Sequence, residues 1–371
     1  MSVNINIPAS KSILNRAMIL QALYSPKTKL ANVTDCDDTK YMREGLEELA
    51  KEDQPQLYTG NAGTTTRFLT AYASLLNKKV TITGNERMQE RPIQPLVDAL
   101  NQAGAKVETS NGCPPVTLHP QIPQGGTIAI PANLSSQYIS ALMMISDGTN
   151  QGINLQLNGE VCSQPYIDMT SKMIEQFRQK PAEYNIETDA SGASYFGAYA
   201  TINPDQPIHI ANLPTNSLQG DIAFIKYLEK MGCKYKDGNF QGPETLQSLG
   251  TIDMNTTPDL VMTFAVLAMF TPGQTTITNV ANLRIKETDR LAALETEIQK
   301  FGISVRTTED SITITGGLQP SSQAIEITTY DDHRIAMAFA IIKKQFPNLS
   351  FDQPECVNKS FPNFWEELAK L

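Results

Sequence analysis

Histidine, tryptophan and cysteine are scarce in this chain of 371 residues, at three, one and five copies. His119, His209 and His333 stand far apart and at no metal-ligand spacing, so no metal site is expected. Cys36, Cys113, Cys162, Cys233 and Cys356 are odd in number and contain no C-x-x-C pair. That pattern suits reduced, mostly buried thiols in a cytoplasm rather than a disulfide framework. No apolar run reaches bilayer length, and the longest, such as LVMTFAVLAMF at 260–270, read as buried helices. The start, MSVNINIPASK, lacks the apolar core of a secretory signal, so a cytoplasmic location is expected. Neither G-x-G-x-x-G nor a Walker-type lysine loop occurs. A cationic surplus is missing too. Lys and Arg number 30 against 39 Asp and Glu, a formal charge of −9, which disfavours nucleic acid or an anionic membrane as partner.

What is present is a globular composition, 40% hydrophobic and 19% charged. The length exceeds what one hydrophobic core usually supports, so two domains are expected. Six segments share one grammar of β-like run, polar loop and amphipathic helix: 29–50, 79–104, 153–177, 207–232, 275–302 and 349–371. Three helices stop at Gly104, Gly232 or Gly302, each followed directly by a strand-like run. Three units per half predict an α/β (α+β) protein of two similar domains, each of three β-α modules. SQYISALMMIS and PDLVMTFAVLAMF, apolar nearly all round, are the expected central helices. The predicted domains are 9–188 and 1–8 plus 189–371, with the active site in the cleft between them.

The unusual polar residues gather in the strand-to-helix loops. In PASKSILNRAMIL, Lys11, Ser12 and Arg16 start a helix whose free N–H groups would suit a phosphate or carboxylate. GNAGTTTRFL combines Asn61, Gly63, Thr64 and Arg67, and NERMQERPI places Arg87, Arg91 and Pro92 at another expected helix start. Ser135, Ser136 and Gln137 open SSQYISALM, and Ser163 and Tyr166 lie in SQPY. Taken singly, each reads as an ordinary helix cap or capped turn before it reads as a ligand site. The second half adds Asp259 at the mouth of an apolar helix, where a carboxylate is costly unless paired or used for proton transfer. NLRIKETDR brings Asn282, Lys286, Glu287 and Arg290, with Lys286 and Arg290 expected on one helical face; a solvated salt-bridge ladder is the alternative. His333, Arg334 and Lys359 complete the set. Lys11, Arg91, Arg290, Arg334 and Lys359 are expected to repel one another until an anion binds.

Read together and in order, PASKS-x-x-NRA, GNAGT-x-x-R, RMQERPI, SSQ-x-x-x-ALM, SQPY-x-D-M, GDI-x-F, PD-x-x-M, KETDR, DDHR-x-AM and K-x-FP-x-F resemble the EPSP synthase family over nearly the whole chain. The resemblance implies the inside-out α/β barrel of enolpyruvyl transferases. It also implies transfer of the enolpyruvyl group of phosphoenolpyruvate to the 5-hydroxyl of shikimate 3-phosphate, without a metal or organic cofactor, in a monomer that glyphosate inhibits. By the same resemblance, Lys11, Ser12, Arg16, Ser135, Ser136, Gln137, Ser163, Tyr166, Asp259, Asn282 and Lys286 meet shikimate 3-phosphate. Lys11, Asn61, Gly63, Thr64, Arg91, Gln137, Arg290, His333, Arg334 and Lys359 meet phosphoenolpyruvate. Asp259 resembles the base for the hydroxyl proton, Glu287 the acid for the methylene carbon, and Lys11 the partner of the departing phosphate.

Three departures stand out. The first module looks stripped of a hairpin, Gln164 replaces a common lysine, and Phe68 stands where proline is common. A related transferase acting on UDP-N-acetylglucosamine is the enzymatic rival, but it lacks the S-x-x-NR grip and uses a loop cysteine, whereas Cys113 here reads as structural. A non-catalytic anion-binding relative would have a damaged acid–base pair, and Asp259 and Glu287 are both present.

Overall fold

The computed structural model describes residues 2–214 and 216–371. It divides into two compact units, Met1–Pro8 with Glu187–Leu371, and Ala9–Ile186.

In the unit Ala9–Ile186 a four-stranded sheet runs Gln56–Tyr58, Val80–Thr83, Cys113–His119, Lys106–Ser110, its first pair parallel and the others antiparallel. Two parallel pairs accompany it, Lys29–Ala31 with Glu183–Asn185, and Gly126–Pro131 with Ile153–Asn158. The other unit builds the same four-stranded pattern twice. Val3–Ile5, Ile208–Ile210, Asn239–Gln241 and Lys234–Lys236 form one copy, and Thr251–Asp253, Gln274–Thr278, Ile312–Thr315 and Ser304–Thr307 the second. Its third sheet pairs Ile325–Ile327 with Leu349–Phe351. Each unit is thus mixed α/β with three sheets among the described residues. No hairpin intervenes between the helix Asp37–Lys51 and the strand Gln56–Tyr58, and the sheet before that helix has only two strands.

Helix burial follows composition. Val261–Ala268 is buried at every residue, and Ala190–Ile202 at all but Ile202. Alanine, glycine and serine fill the second helix, so neighbouring backbones can approach it closely. Asp37–Lys51 instead carries Met42 and Leu49 inward and solvates its acidic face, as its amphipathic spacing dictates. Past three helices the chain reverses through Gly104, Gly232 and Gly302 at φ +91°, +101° and +71°, which side chains with a Cβ rarely adopt. Strands Lys106–Ser110, Lys234–Lys236 and Ser304–Thr307 begin immediately after. Among the described residues no helix is long and apolar enough to cross a membrane.

One local expectation is corrected. Pro92 does not start a helix: Met88–Glu90 is a separate 3-10 turn, and the helix Gln94–Gln102 takes Pro95 in its first turn. Arg91 therefore sits in the connection between the two, where its backbone is extended.

Candidate active site

In the unit Ala9–Ile186, helix starts present the expected residues. Lys11 opens the helix Lys11–Tyr24, and its Nζ lies 2.7 Å from Asp38 Oδ2 in the first turn of Asp37–Lys51. Asp38 is 4% exposed, so this ion pair is largely withdrawn from water. One turn along, Arg16 is buried with its guanidinium donating to Ser12 O at 2.8 Å, Thr170 Oγ1 at 2.7 Å and Ser140 Oγ at 3.2 Å. Burial pulls its pKa down to about 10. The Tyr166 ring lies 5.7 Å from Arg16 Cζ, and Ser163 precedes the helix Gln164–Arg178 at φ 57°. Ser135 caps the helix Ser136–Ile145 through the Gln137 N–H. Gln164 bonds Asp168 at 2.8 Å on an exposed face.

A second cluster surrounds the start of the helix Gly63–Ser74. Arg91 Nη1 donates to Asn61 O at 2.9 Å and Asn61 Oδ1 at 3.0 Å. Arg67 Nη1 donates to Gln137 Oε1 at 2.5 Å, and Gln137 Nε2 donates to Thr64 Oγ1 at 3.1 Å. Both guanidiniums crowd Gly63, where an added Cβ would stand 2.6 Å from Arg67 Nη1 and 2.6 Å from Arg91 Nη2. The spacing of GNAGTTTR signals this arrangement, but Arg67's grip on Gln137 across 70 residues of sequence was not foreseen.

In the other unit, carboxylates and cations interlock. Arg334 Nη2 is 2.7 Å from Asp259 Oδ2, and Arg290 Nη1 is 3.3 Å from Asp259 Oδ1. Arg290 also meets Glu287 Oε2 at 3.0 Å and Asp332 Oδ2 at 2.7 Å, and Lys359 Nζ lies 3.9 Å from Glu287 Oε1. Asp332 caps the helix His333–Ala340 through the Arg334 N–H at 2.9 Å, which fixes His333 and Arg334 at its start. Asn282 is buried in the 3-10 turn Ala281–Ile285. Lys286 and Glu287 follow in a loop, so Lys286 and Arg290 do not share a helical face: the helix Arg290–Gln299 begins only after its Asp289 cap. Nor is the stretch a solvated ladder, because Glu287 and Arg290 are buried.

Opposing influences set the protonation here. Burial raises the Asp259 carboxyl, but Arg334, Lys286 and Arg290 outweigh it and hold the group well below the usual carboxylate range. Burial would lower Arg290, yet Asp332, Glu287 and Asp259 keep it firmly charged. Burial first, then the charge of Asp259, pushes Asp221 up to about 7. Its oxygen accepts from Ser191 Oγ. The expected mutual repulsion of the site cations is therefore corrected for four of them: Lys11, Arg290, Arg334 and Lys359 each face a carboxylate of their own unit. Asp38, Asp332 and Asp221 were absent from the expected set, although the doubled aspartates of CDDTK and YDDHR mark two of them.

Such an arrangement can bind anions by exchanging internal carboxylates for ligand oxygens, with a buried carboxylate left beside them to handle a proton. Among the described residues no group of three or more His, Cys, Asp or Glu could hold a metal ion. Cys113 is half-buried, and burial and Glu90 push its thiol up, away from thiolate reactivity.

Residues 1–368 match the family model described as EPSP synthase (3-phosphoshikimate 1-carboxyvinyltransferase). The chain is 37% identical to the 3-phosphoshikimate 1-carboxyvinyltransferase of Vibrio cholerae serotype O1, the match covering 100% of this chain and 97% of that protein. The enzyme of that name from Proteus mirabilis is 38% identical, with 99% and 95% covered. A solved EPSP synthase from Acinetobacter baumannii superposes with a TM-score of 0.79 at 21% identity, over 100% of this chain and 95% of that one, and shares its fold.

Proposed function

The chain belongs to the EPSP synthase family, and from that premise we propose how its residues carry the family's reaction. That reaction transfers the 1-carboxyvinyl group of phosphoenolpyruvate to the 5-hydroxyl of shikimate 3-phosphate and releases phosphate. The rival substrate, UDP-N-acetylglucosamine, is not favoured by these relatives.

Bond accounting fixes which groups are needed. The acceptor oxygen bonds C2 of phosphoenolpyruvate while its proton leaves to a base and C3 gains a proton from an acid. The product keeps a vinyl group, so phosphate must then depart as C3 loses a proton again. Asp259 is the base: it is ionised, half-buried and at a helix mouth. Glu287 is the acid that protonates C3 and then takes the proton back. Lys11 accompanies the departing phosphate.

The single observation carrying this assignment is that Asp259 and Glu287 both contact Arg290, at 3.3 and 3.0 Å. Both carboxylates are thereby held on one cation, which with Arg334 and Lys359 is the proposed receptor for phosphoenolpyruvate. Ser12, Arg16, Ser135, Ser136, Gln137, Ser163, Tyr166, Asn282 and Lys286 receive shikimate 3-phosphate. Lys11, Asn61, Gly63, Thr64, Arg91, His333 and the shared Gln137 complete the phosphoenolpyruvate set, and the two sets serve one reaction. Incoming phosphate and carboxylate groups draw Arg334 and Arg290 away from Asp259, and its basicity rises when it is needed. This protein works as a cytoplasmic monomer, which light scattering on a sizing column tests.

The decisive assay measures phosphate release. Release with both substrates together, and with neither alone nor with UDP-N-acetylglucosamine as acceptor, is expected. No release from the pair would overturn the reading.

A further inference from the structure

Arg16 poses a physical problem. Its side chain is among the largest fully buried ones, yet among the described residues no carboxylate pairs with it. A buried cation without an anion is costly, and something must offset the lost water. Two aromatic faces do so. Arg16 Cζ lies 5.1 Å from the centroid of the Phe68 ring and 5.7 Å from that of Tyr166. Phe68 itself is 0% exposed, so the contact is dry, and a ring quadrupole attracts a cation most strongly without water.

The guanidinium carries five N–H donors in one plane. Three are spent, on Ser12 O, Thr170 Oγ1 and Ser140 Oγ, which leaves two. A ring lying against the guanidinium face fixes that plane and the depth at which the cation sits. Unspent donors then have a set position from which to meet an incoming anion. Phe68 comes from the helix Gly63–Ser74, whose preceding residue, Arg67, grips Gln137. One helix thus braces two residues assigned to the substrates, Gln137 through Arg67 and Arg16 through Phe68.

We propose that Phe68 is a positioning residue for shikimate 3-phosphate: its ring holds the Arg16 guanidinium so that the two unspent N–H groups meet an anionic group of the acceptor. The proposal rests on the assignment of Arg16 to that substrate. It gives the departure at position 68 a consequence for acceptor affinity rather than for the chemistry.

Phe68→Leu, which keeps an apolar side chain and removes the ring face, tests it. Steady-state kinetics should show KM for shikimate 3-phosphate raised about five- to tenfold, the scale of a desolvated cation–π contact. KM for phosphoenolpyruvate and kcat should stay within about twofold of wild type. Phe68→Tyr, which keeps the ring, should restore acceptor affinity. Titration calorimetry of shikimate 3-phosphate alone reads the same effect without turnover, and Phe68→Met replaces the leucine variant if that one does not fold. An unchanged acceptor KM in an active variant overturns the role of Phe68. Equal weakening of both substrates with a lowered Tm does the same, since that is the mark of simple core damage. Wild-type protein inactive on both substrates would instead overturn the family reaction itself, so the two failures are distinguishable.

Discussion

Arg334 Nη2 stands 2.7 Å from Asp259 Oδ2, inside a site where the arginine is 6% and the aspartate 17% exposed. A carboxylate so held is a poor proton acceptor, and the same arginine is assigned to phosphoenolpyruvate. Under the proposed assignment, substrate binding and activation of the base compete for one guanidinium.

Titration of Asp259 should show this coupling. In the free protein its carboxyl stays ionised to pH values below the ordinary 3.8. With phosphoenolpyruvate bound and no acceptor present, Arg334 and Arg290 turn toward the ligand and the carboxyl pKa rises. Carboxyl carbon NMR of selectively labelled protein measures both states. A titration unchanged by the ligand would mean that Arg334 and Arg290 remain on Asp259 throughout.

Glu287→Gln and Asp259→Asn each remove one proton-transfer group while conserving shape. Turnover should fall by about 10²–10⁴-fold in each. In Asp259→Asn the competing anion is gone, so KM for phosphoenolpyruvate should stay level or fall. Rapid-quench or steady-state assays separate the two parameters. Activity within about tenfold of wild type would remove these residues from the mechanism.

Helix starts were readable because their signals are local. Lys11, Ser12 and Arg16 lie within two turns, and the helix begins where their spacing placed it. The three glycine stops were equally local. The Lys286–Arg290 face failed for a reason that the residues also carry: Asp289 accepts from the Ala292 N–H at 3.1 Å, so the helix starts after Lys286 rather than before it. The neutralising partners lay beyond reach. Asp38 is 27 residues from Lys11, Asp332 is 42 from Arg290, and Asp259 is 75 from Arg334, distances that only the module packing closes. Cations chosen for anion binding looked mutually repulsive because their resident carboxylates were invisible.

Asp221 makes stability depend on pH in an unusual direction. Unfolded, its carboxyl ionises near 3.8; folded, burial and Asp259 hold it up to about 7. Between those values the folded state keeps a proton that the unfolded chain loses. Stability therefore falls as pH rises from about 4 to about 7, and the penalty is absent below that window. Asp221→Asn cannot ionise and still offers an oxygen to Ser191. Urea unfolding at the two ends of the window should show the wild type losing about 2–4 kcal/mol relative to this variant. Parallel pH profiles for the two proteins would mean that Asp221 titrates normally in the fold.

Gly63, proposed above for the phosphoenolpyruvate set, leaves no room for a side chain. An added methyl would stand 2.6 Å from a nitrogen of Arg67 and 2.6 Å from one of Arg91, well inside contact distance. Both guanidiniums are buried and bonded on their far sides, Arg67 to Pro92 O at 3.1 Å and Arg91 to Asn61, so neither withdraws without breaking a bond. In Gly63→Ala the arginines are displaced into the space that the ligand needs. KM for phosphoenolpyruvate should rise about tenfold or more, the cost of losing one charge-assisted hydrogen bond. Inhibition by glyphosate should weaken at least as much, because an inhibitor occupying the same arginines meets the same methyl. The acceptor's KM should move less, through Gln137 alone, since Arg16, Ser12 and Tyr166 lie outside the contacts of Gly63. Steady-state kinetics with each substrate varied in turn separates these effects. A variant whose phosphoenolpyruvate KM matches wild type would show that Arg91 is not part of the receptor for that anion.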